Sequence, residues 1–410
     1  MSTTELESSP SLMGHRPFAL FWWSRVLTIG AHHMQAVAIG WLVYDLTGSA
    51  FDLGLVGLIQ FVPVVGLTLI IGHLADRYDR RLIIRTTQLV NALAAALLAV
   101  GSYKGWLTRE FLFAAIFVVG TARAFETPTW LTMLPSLVPP PMIPRAVAGS
   151  ATANQCAIIG GPALGGLIYA AGSSVVFTVC CAAFVVGLIL LSLVNAKPTL
   201  PDRKPLTFES LFAGVAFIGS RRMLLGVISL DLFAVLLGGA TALLPVYAKD
   251  ILGTGPVGLG LLRSAPAVGA LVASIVLARY PITHSLGKIM FAAVGLFGIS
   301  TTLFAVSTSF PLSLITLVVL GASDAVSVVI RFALVQTETP DAMLGRVSAI
   351  NGLFTGTSNT LGDFRAGATA AWFGTVPSVL IGGIGTIVVA LMWMKLFPEL
   401  RDVKEFKTRT

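Results

Sequence analysis

The sequence predicts an all-α integral membrane protein whose twelve transmembrane helices form two six-helix pseudo-symmetric bundles. Of its 410 residues, 55% are hydrophobic and 11% charged, whereas soluble domains carry about 25% charged residues. Apolar runs of bilayer-crossing length, about 20 residues, recur along the whole chain. The chain also repeats itself. A shift of 203 lays Tyr44 on Tyr247, Gly57 on Gly260, Pro63 on Pro266 and Gly66 on Gly269, and a shift of 201 lays Gly120 on Gly321, Pro139 on Pro340, Arg145 on Arg346 and Gly161 on Gly362.

The runs place spans near residues 17–44, 52–73, 82–101, 110–135, 146–171 and 174–195, then 223–248, 256–279, 287–307, 310–336, 346–371 and 375–398. Residues 1–200 are expected to form the N-terminal bundle, 201–222 a cytoplasmic linker with an interfacial helix, and 223–410 the C-terminal bundle. The linker is rich in proline and charge, "AKPTLPDRKPLTFES", and continues into Phe208, Leu211, Phe212 and Val215 at helical spacing, the pattern of a helix lying in the membrane interface. The first sixteen residues hold Glu5, Glu7 and serines without a basic segment, so they read as a retained tail and not a signal peptide.

Charge sets the orientation. With these spans, nineteen of the 27 Lys and Arg fall on the face that holds both termini, three (Lys104, Arg109, Lys249) on the other, and five inside the spans. The positive-inside rule makes the first face cytoplasmic. Topology and anionic lipid at the membrane surface therefore account for the net charge of +8, and no nucleic acid partner is called for.

Each half contains an even number of spans, so both insert the same way up, the parallel repeat of an alternating-access transporter. Other classes recede. There is no G-x-x-x-x-G-K-[ST] phosphate loop, which argues against ATP as the fuel. No nucleophile–base set suggests an enzyme. Cys156, Cys180 and Cys181 lie inside apolar runs, and the adjacent His32 and His33 point about 100° apart on a helix, so no metal is expected.

Ionisable groups inside a membrane are costly and therefore mark function. Nine fall within spans: Arg25, Arg123, Glu126, Asp231, Arg263, Asp324, Arg331, Asp363 and Arg365. Six of the nine sit on spans 1, 4, 7 and 10, the first helix of each three-helix unit, and His32, His33 and Gln35 lie mid-depth on span 1. The candidate substrate and proton-coupling set is Arg25, His32, His33, Gln35, Arg123, Glu126, Asp231, Asp324 and Arg331. Arg123 and Asp324 follow Gly120 and Gly321 at the same offset in the two repeats, so pseudo-symmetry is expected to bring them face to face, with Glu126 a competing partner one turn from Arg123.

Two motifs give this architecture a family resemblance. "GHLADRYDRR", Gly72 to Arg81, resembles the loop signature of the major facilitator superfamily, G-x-L-A-D-R-x-x-R-R; in that family it helps latch a cytoplasmic gate. The resemblance casts Gly72, Asp76, Arg77, Arg80 and Arg81 as gate residues, with Arg145 and Arg346 at matching places of the two halves. The second half has "LARYPITHSLGK" there, with Arg279 in the place of Asp76, so the latch is asymmetric. "GGPALGG", with Gly161, Pro162, Gly165 and Gly166, resembles the Gly-Pro motif of the superfamily's antiporters, and its counterpart "GDFRAG" carries Gly362, Asp363 and Arg365 instead. Glycines four apart give a flat helix-packing face in either reading.

"QTETPDAMLGR" and "PSLVPPPMIPRAVAGSATANQ" then resemble the drug:proton antiporter branch that contains the enterobactin exporter and the macrolide efflux pumps, over roughly residues 17 to 400. That resemblance implies a bacterial inner-membrane exporter without cofactor, moving a small molecule against protons, and acting as a monomer among membrane lipids. A siderophore or similar anionic metabolite is the expected substrate, since every cation inside the spans is an arginine, whose planar fork suits paired oxygens. A broad drug or macrolide pump and a non-transporting ligand sensor are the alternatives.

Overall fold

The computed structural model describes residues 12–77, 79–194 and 208–405. Among the described residues every element is helical. In chain order they are α1 (Arg16–Thr47), α2 (Ala50–Arg77), α3 (Arg80–Lys104), α4 (Arg109–Met133), α5 (Ile143–Tyr169), α6 (Ser173–Ser192) and a short α7 (Phe208–Ser220). The second half holds α8 (Arg222–Gly238), α9 (Leu244–Val246), α10 (Gly255–Arg279), α11 (Leu286–Val306), α12 (Phe310–Glu338), α13 (Asp341–Phe373), α14 (Thr375–Leu396) and the terminal turn α15 (Pro398–Arg401).

Nine segments among the described residues are long and apolar enough to cross a membrane, with Arg222–Ile251 counted as one. The equally long α4, α5 and α13 are outside that set; they carry Arg123 and Glu126 on α4, Gly160, Gly161, Gly165 and Gly166 on α5, and Asp363 and Arg365 on α13. Together the helices are consistent with the twelve runs of the sequence.

The chain divides into two compact units, Met1–Ala36 with Val62–Pro205, and Val37–Phe61 with Leu206–Thr410. In the first, α3 packs against α4 and α6; in the second, α11 packs against α12 and α14, the same third-with-fourth-and-sixth pairing. Glycine at positive φ turns the chain into the last helix of each set, at Gly172 (φ 123°) and Gly374 (φ 93°), conformations that a side chain would strain.

Helix α3 explains why the interior is polar. Its outward residues Leu82, Leu89, Leu93 and Leu97 are exposed, while Thr87, Gln88 and Asn91 are buried. Lipid is the solvent on the outside, so apolar burial drives nothing there and interhelical contact is made by small and polar residues. Asp79 caps the helix by accepting from the Arg81 amide at 3.0 Å, and Gly105 ends it at φ 71°.

Glycine faces bring helices together in each unit. A methyl group on Gly161 would lie 2.7 Å from the His33 Cβ, and one on Gly165 2.8 Å from the Met34 Cα, so α5 rides directly on α1. Pro162 and Gly166 are buried beside them. In the second unit a methyl on Gly362 would lie 2.8 Å from the Val235 carbonyl oxygen of α8.

The seventh span departs from the single helix expected over 223–248. Helix α8 stops at Gly238, Gly239 and Ala240 turn the chain, Thr241–Leu243 makes a 3-10 turn, and α9 leads into a π-helical turn over Tyr247–Ile251. Paired glycines weaken the helix at the break, and Pro245 has no N–H to bridge back across it. The interfacial segment does form a helix, α7, with Val215 exposed; the side chains of Phe208, Leu211 and Phe212 lie outside the described residues.

Candidate transport site

In the first unit the polar groups converge on Glu126, which is 3% exposed. Its Oε1 accepts from the Trp130 indole N–H at 2.8 Å, one turn along α4. Its Oε2 lies 3.2 Å from His32 Nε2 on α1 and accepts from Asn91 Nδ2 on α3 at 3.4 Å. The His32 ring meets Phe184 edge-on at 5.0 Å. Arg25 stands over the Trp130 ring at 5.8 Å, and both Arg25 and Arg123 act electrostatically on Glu126. Three donors on one buried carboxylate fill much of its hydrogen-bonding capacity.

Behind it, Gln88 donates to Thr28 Oγ1 at 2.9 Å and to Ser24 Oγ at 3.3 Å, and Ser24 donates to the Gly187 carbonyl at 2.8 Å, tying α1 to α3 and α6. The neighbouring His33 packs with its Cβ against Gly161 of α5. Gln35 is 1% exposed, and among the described residues neither of its amide atoms has a hydrogen-bond partner. An unsatisfied buried amide costs about 1–3 kcal/mol. Asn91, Gln88 and Trp130 were missed by a reading that counted only charges; the signal available was a run of amides and hydroxyls inside an otherwise apolar third span.

In the second unit Arg331 of α12 forms the centre. Its Nη1 pairs directly with Asp231 of α8, its Nη2 lies 3.8 Å from Asp324, and its Nε donates to the Ser327 carbonyl at 3.4 Å. Thr355 of α13 donates to the other Asp231 oxygen at 2.9 Å. Asp324 is held by the weaker pair and its side chain is 46% exposed. It opens into a cavity of about 290 Å³ lined by Gly239, Thr241, Pro266, Phe297, Leu317, Leu320 and Asp363 among others. Within its own unit, then, Asp324 is a second partner of Arg331, a pairing that the repeat alone does not signal.

A larger cavity of about 510 Å³ lies elsewhere, between α3 and α4, lined by Leu82, Val90, Phe117 and Phe125 and by no ionisable group. Its wall is apolar apart from Thr86, Thr87 and Thr121. Among the described residues no three His, Cys, Asp or Glu gather as a metal site.

The residues expected at the gate are partly described. Gly72, Asp76 and Arg77 are in the last turns of α2, but their side chains lie outside the described residues. Arg81 donates to the Val194 carbonyl at 3.1 Å, and Arg80 is half-buried beside it. Arg145 is exposed on α5; Arg346 is exposed on α13 and donates to Met343 Sδ at 3.3 Å.

The chain matches the model of the transmembrane secretion effector family over residues 8–409. It belongs to that family. The enterobactin exporter of Citrobacter koseri is 29% identical over 414 aligned positions, covering 96% of this chain and 95% of that one. The enterobactin exporter of Escherichia coli K12 is 27% identical over 412 positions with the same coverage. The nucleoside transporter NupG shares the fold at a TM-score of 0.75 with 14% identity, covering 93% of this chain and 99% of that one. A bacterial homologue of the iron transporter ferroportin, solved inward-facing, gives 0.72 with 18% identity, covering 96% and 100%. This family member is thus a multi-pass inner-membrane transporter of the major facilitator superfamily, related to exporters.

Proposed function

We propose that this family member is a proton-coupled exporter of a small anionic metabolite, a catechol siderophore or a compound of like chemistry. It works as a monomer in the inner membrane by alternating access between a bundle of residues 1–200 and one of residues 223–410, joined by 201–222 on the cytoplasmic side with both termini. The observation that carries the reading is Glu126, buried and bonded to His32 at 3.2 Å in a chain whose full-length relatives export a siderophore. Carboxylate and imidazole form a pair that can take up and release a proton. Arg25, Arg123 and Gln35 around it are the groups offered to substrate oxygens. In an exchanger the two ligands alternate: Arg25, Arg123 and Gln35 hold the anion while the Glu126–His32 pair lacks the incoming proton, and that pair takes the proton up from the periplasmic side once the anion has left. Arg80, Arg81, Arg145 and Arg346, with Gly72, Asp76 and Arg77, serve the cytoplasmic gate.

A second reading, a broad pump for organic cations, is favoured by one feature: Asp324 opens into a cavity walled by Pro266, Phe297, Leu317 and Leu320, a carboxylate in apolar surroundings. Everted vesicles with an imposed pH gradient separate the two. Wild-type vesicles should accumulate enterobactin when the lumen is acidic and lose it on adding a protonophore. Glu126→Gln should keep substrate exchange without a gradient yet lose gradient-driven accumulation. Transport of quaternary ammonium dye without enterobactin would favour the second reading, and transport of neither would leave a ligand-binding membrane protein.

A further inference from the structure

The break in the seventh span leaves the last carbonyls of α8 without helical partners, and side chains and a turn take up several of the carbonyls near this end. Gly238 O accepts from the Ala240 amide at 2.7 Å, and Ala234 O accepts from Thr386 Oγ1 at 3.1 Å. Those of Leu236 and Leu237 belong to one side chain of α13. Arg365 Nε donates to Leu236 O at 3.0 Å, and Arg365 Nη2 donates to Leu237 O at 2.6 Å. Across the break, Asp363 accepts from Thr241 Oγ1 at 2.9 Å and from the Ala242 amide, at the beginning of the following turn. One segment thus supplies a cation to the negative end of a half-helix and an anion to the start of the next.

Discontinuous membrane helices usually place bound ions or substrate groups at such ends. We propose that Arg365 is a tethered cation filling, at the broken seventh span, a monovalent-cation site formed by the Leu236 and Leu237 carbonyls, with Asp363 as its tethered counterpart. The surroundings are built to seat the guanidinium. Gly382 of α14 leaves its space open, since a methyl there would lie 3.2 Å from Arg365 Nη2. Gly239 and Gly362 allow the two backbones to touch, a methyl on Gly239 lying 2.6 Å from the Gly362 carbonyl carbon. The departure of "GDFRAG" from the glycine–proline pattern of "GGPALGG" acquires a reason: α5 has only to pack on an unbroken α1, whereas α13 packs on a broken helix and also caps it. Asp363 sits in the field of Arg263 of α10 as well as Arg365, so the break stays charge-compensated. For coupling, the inference rests on the export reading above: the cation that the break needs is already covalent, and the moving ion is left to be the proton.

The site is testable without transport, so its failure and that of the export reading are distinguishable. Purified protein in nanodiscs would be melted as wild type and as Arg365→Ala, each with millimolar guanidinium or, as a neutral isostere, millimolar urea. The alanine variant should lose several degrees, recover at least half of the loss with guanidinium and none with urea, while wild type responds to neither. An equal response of both proteins, or no response of the variant, overturns the proposal. If the alanine chain does not fold, Arg365→Lys and Arg365→Met decide: the lysine keeps a cation at the carbonyls and should be clearly the more stable, and equal midpoints overturn the proposal.

Discussion

At the residue scale the two units treat buried charge differently. Glu126 is enclosed by neutral or titratable donors, His32, Asn91 and Trp130, whereas Asp231 is locked to Arg331, which also reaches Asp324. Breaking a buried pair from one side strands the other charge, at about 3–5 kcal/mol; a pair open to water contributes about 0–1 kcal/mol. Asp231→Ala should therefore lower the melting midpoint sharply and Asp324→Ala only slightly, with the Asp231→Ala/Arg331→Ala double mutant recovering most of the loss. Similar melts for the two single mutants would refute this ranking. The charged members were legible in the sequence because charge inside an apolar run stands out. Asn91, Gln88 and Trp130 were not, since an amide or an indole in a span is common enough to need its bonding partner before it signifies.

At the scale of elements, glycine decides how closely helices approach. On α5, a methyl on Gly165 would press the Met34 backbone of α1 at 2.8 Å, while one on Gly160 meets nothing within 4 Å. Gly165→Ala should destabilise the protein by about 1–3 kcal/mol through overpacking, and Gly160→Ala should be neutral or slightly stabilising through its better helix propensity. Thermal melts of the two variants, one helical turn and a residue apart, check this directly. The sequence offered "GGPALGG" as a packing face without saying which glycines touch the neighbour, because that depends on the rotation of α5 about its axis.

At the scale of the whole molecule the repeat carries the mechanism we propose. Arg123 and Asp324 occupy corresponding places in the two halves, so charge on one is expected to answer charge on the other during the cycle. Arg123→Ala and Asp324→Ala should each abolish gradient-driven export while the protein still folds. The exchanged double mutant Arg123→Asp with Asp324→Arg should recover part of it, because the pair is kept with its sense reversed. Wild-type export from either alanine mutant refutes the pairing. The Arg331 contact of Asp324 adds a condition: recovery will be incomplete, since an arginine at 324 would face Arg331 at the distance now occupied by a carboxylate, 3.8 Å.

The sequence by itself determined that the chain is helical and membrane-embedded, roughly where each span begins and ends, that the two halves repeat, and which charges are out of place in lipid. Those properties are local: bilayer thickness fixes span length, and an apolar run needs no partner to be apolar. Only the tertiary structure decided that His32 reaches Glu126, that Arg331 binds Asp231, and that Arg365 and Asp363 cap the break in the seventh span. Each of these depends on a partner more than 90 residues away in the chain, and on the rotation of one helix against another. Small-residue packing in lipid sets that rotation, and no one-dimensional pattern encodes it.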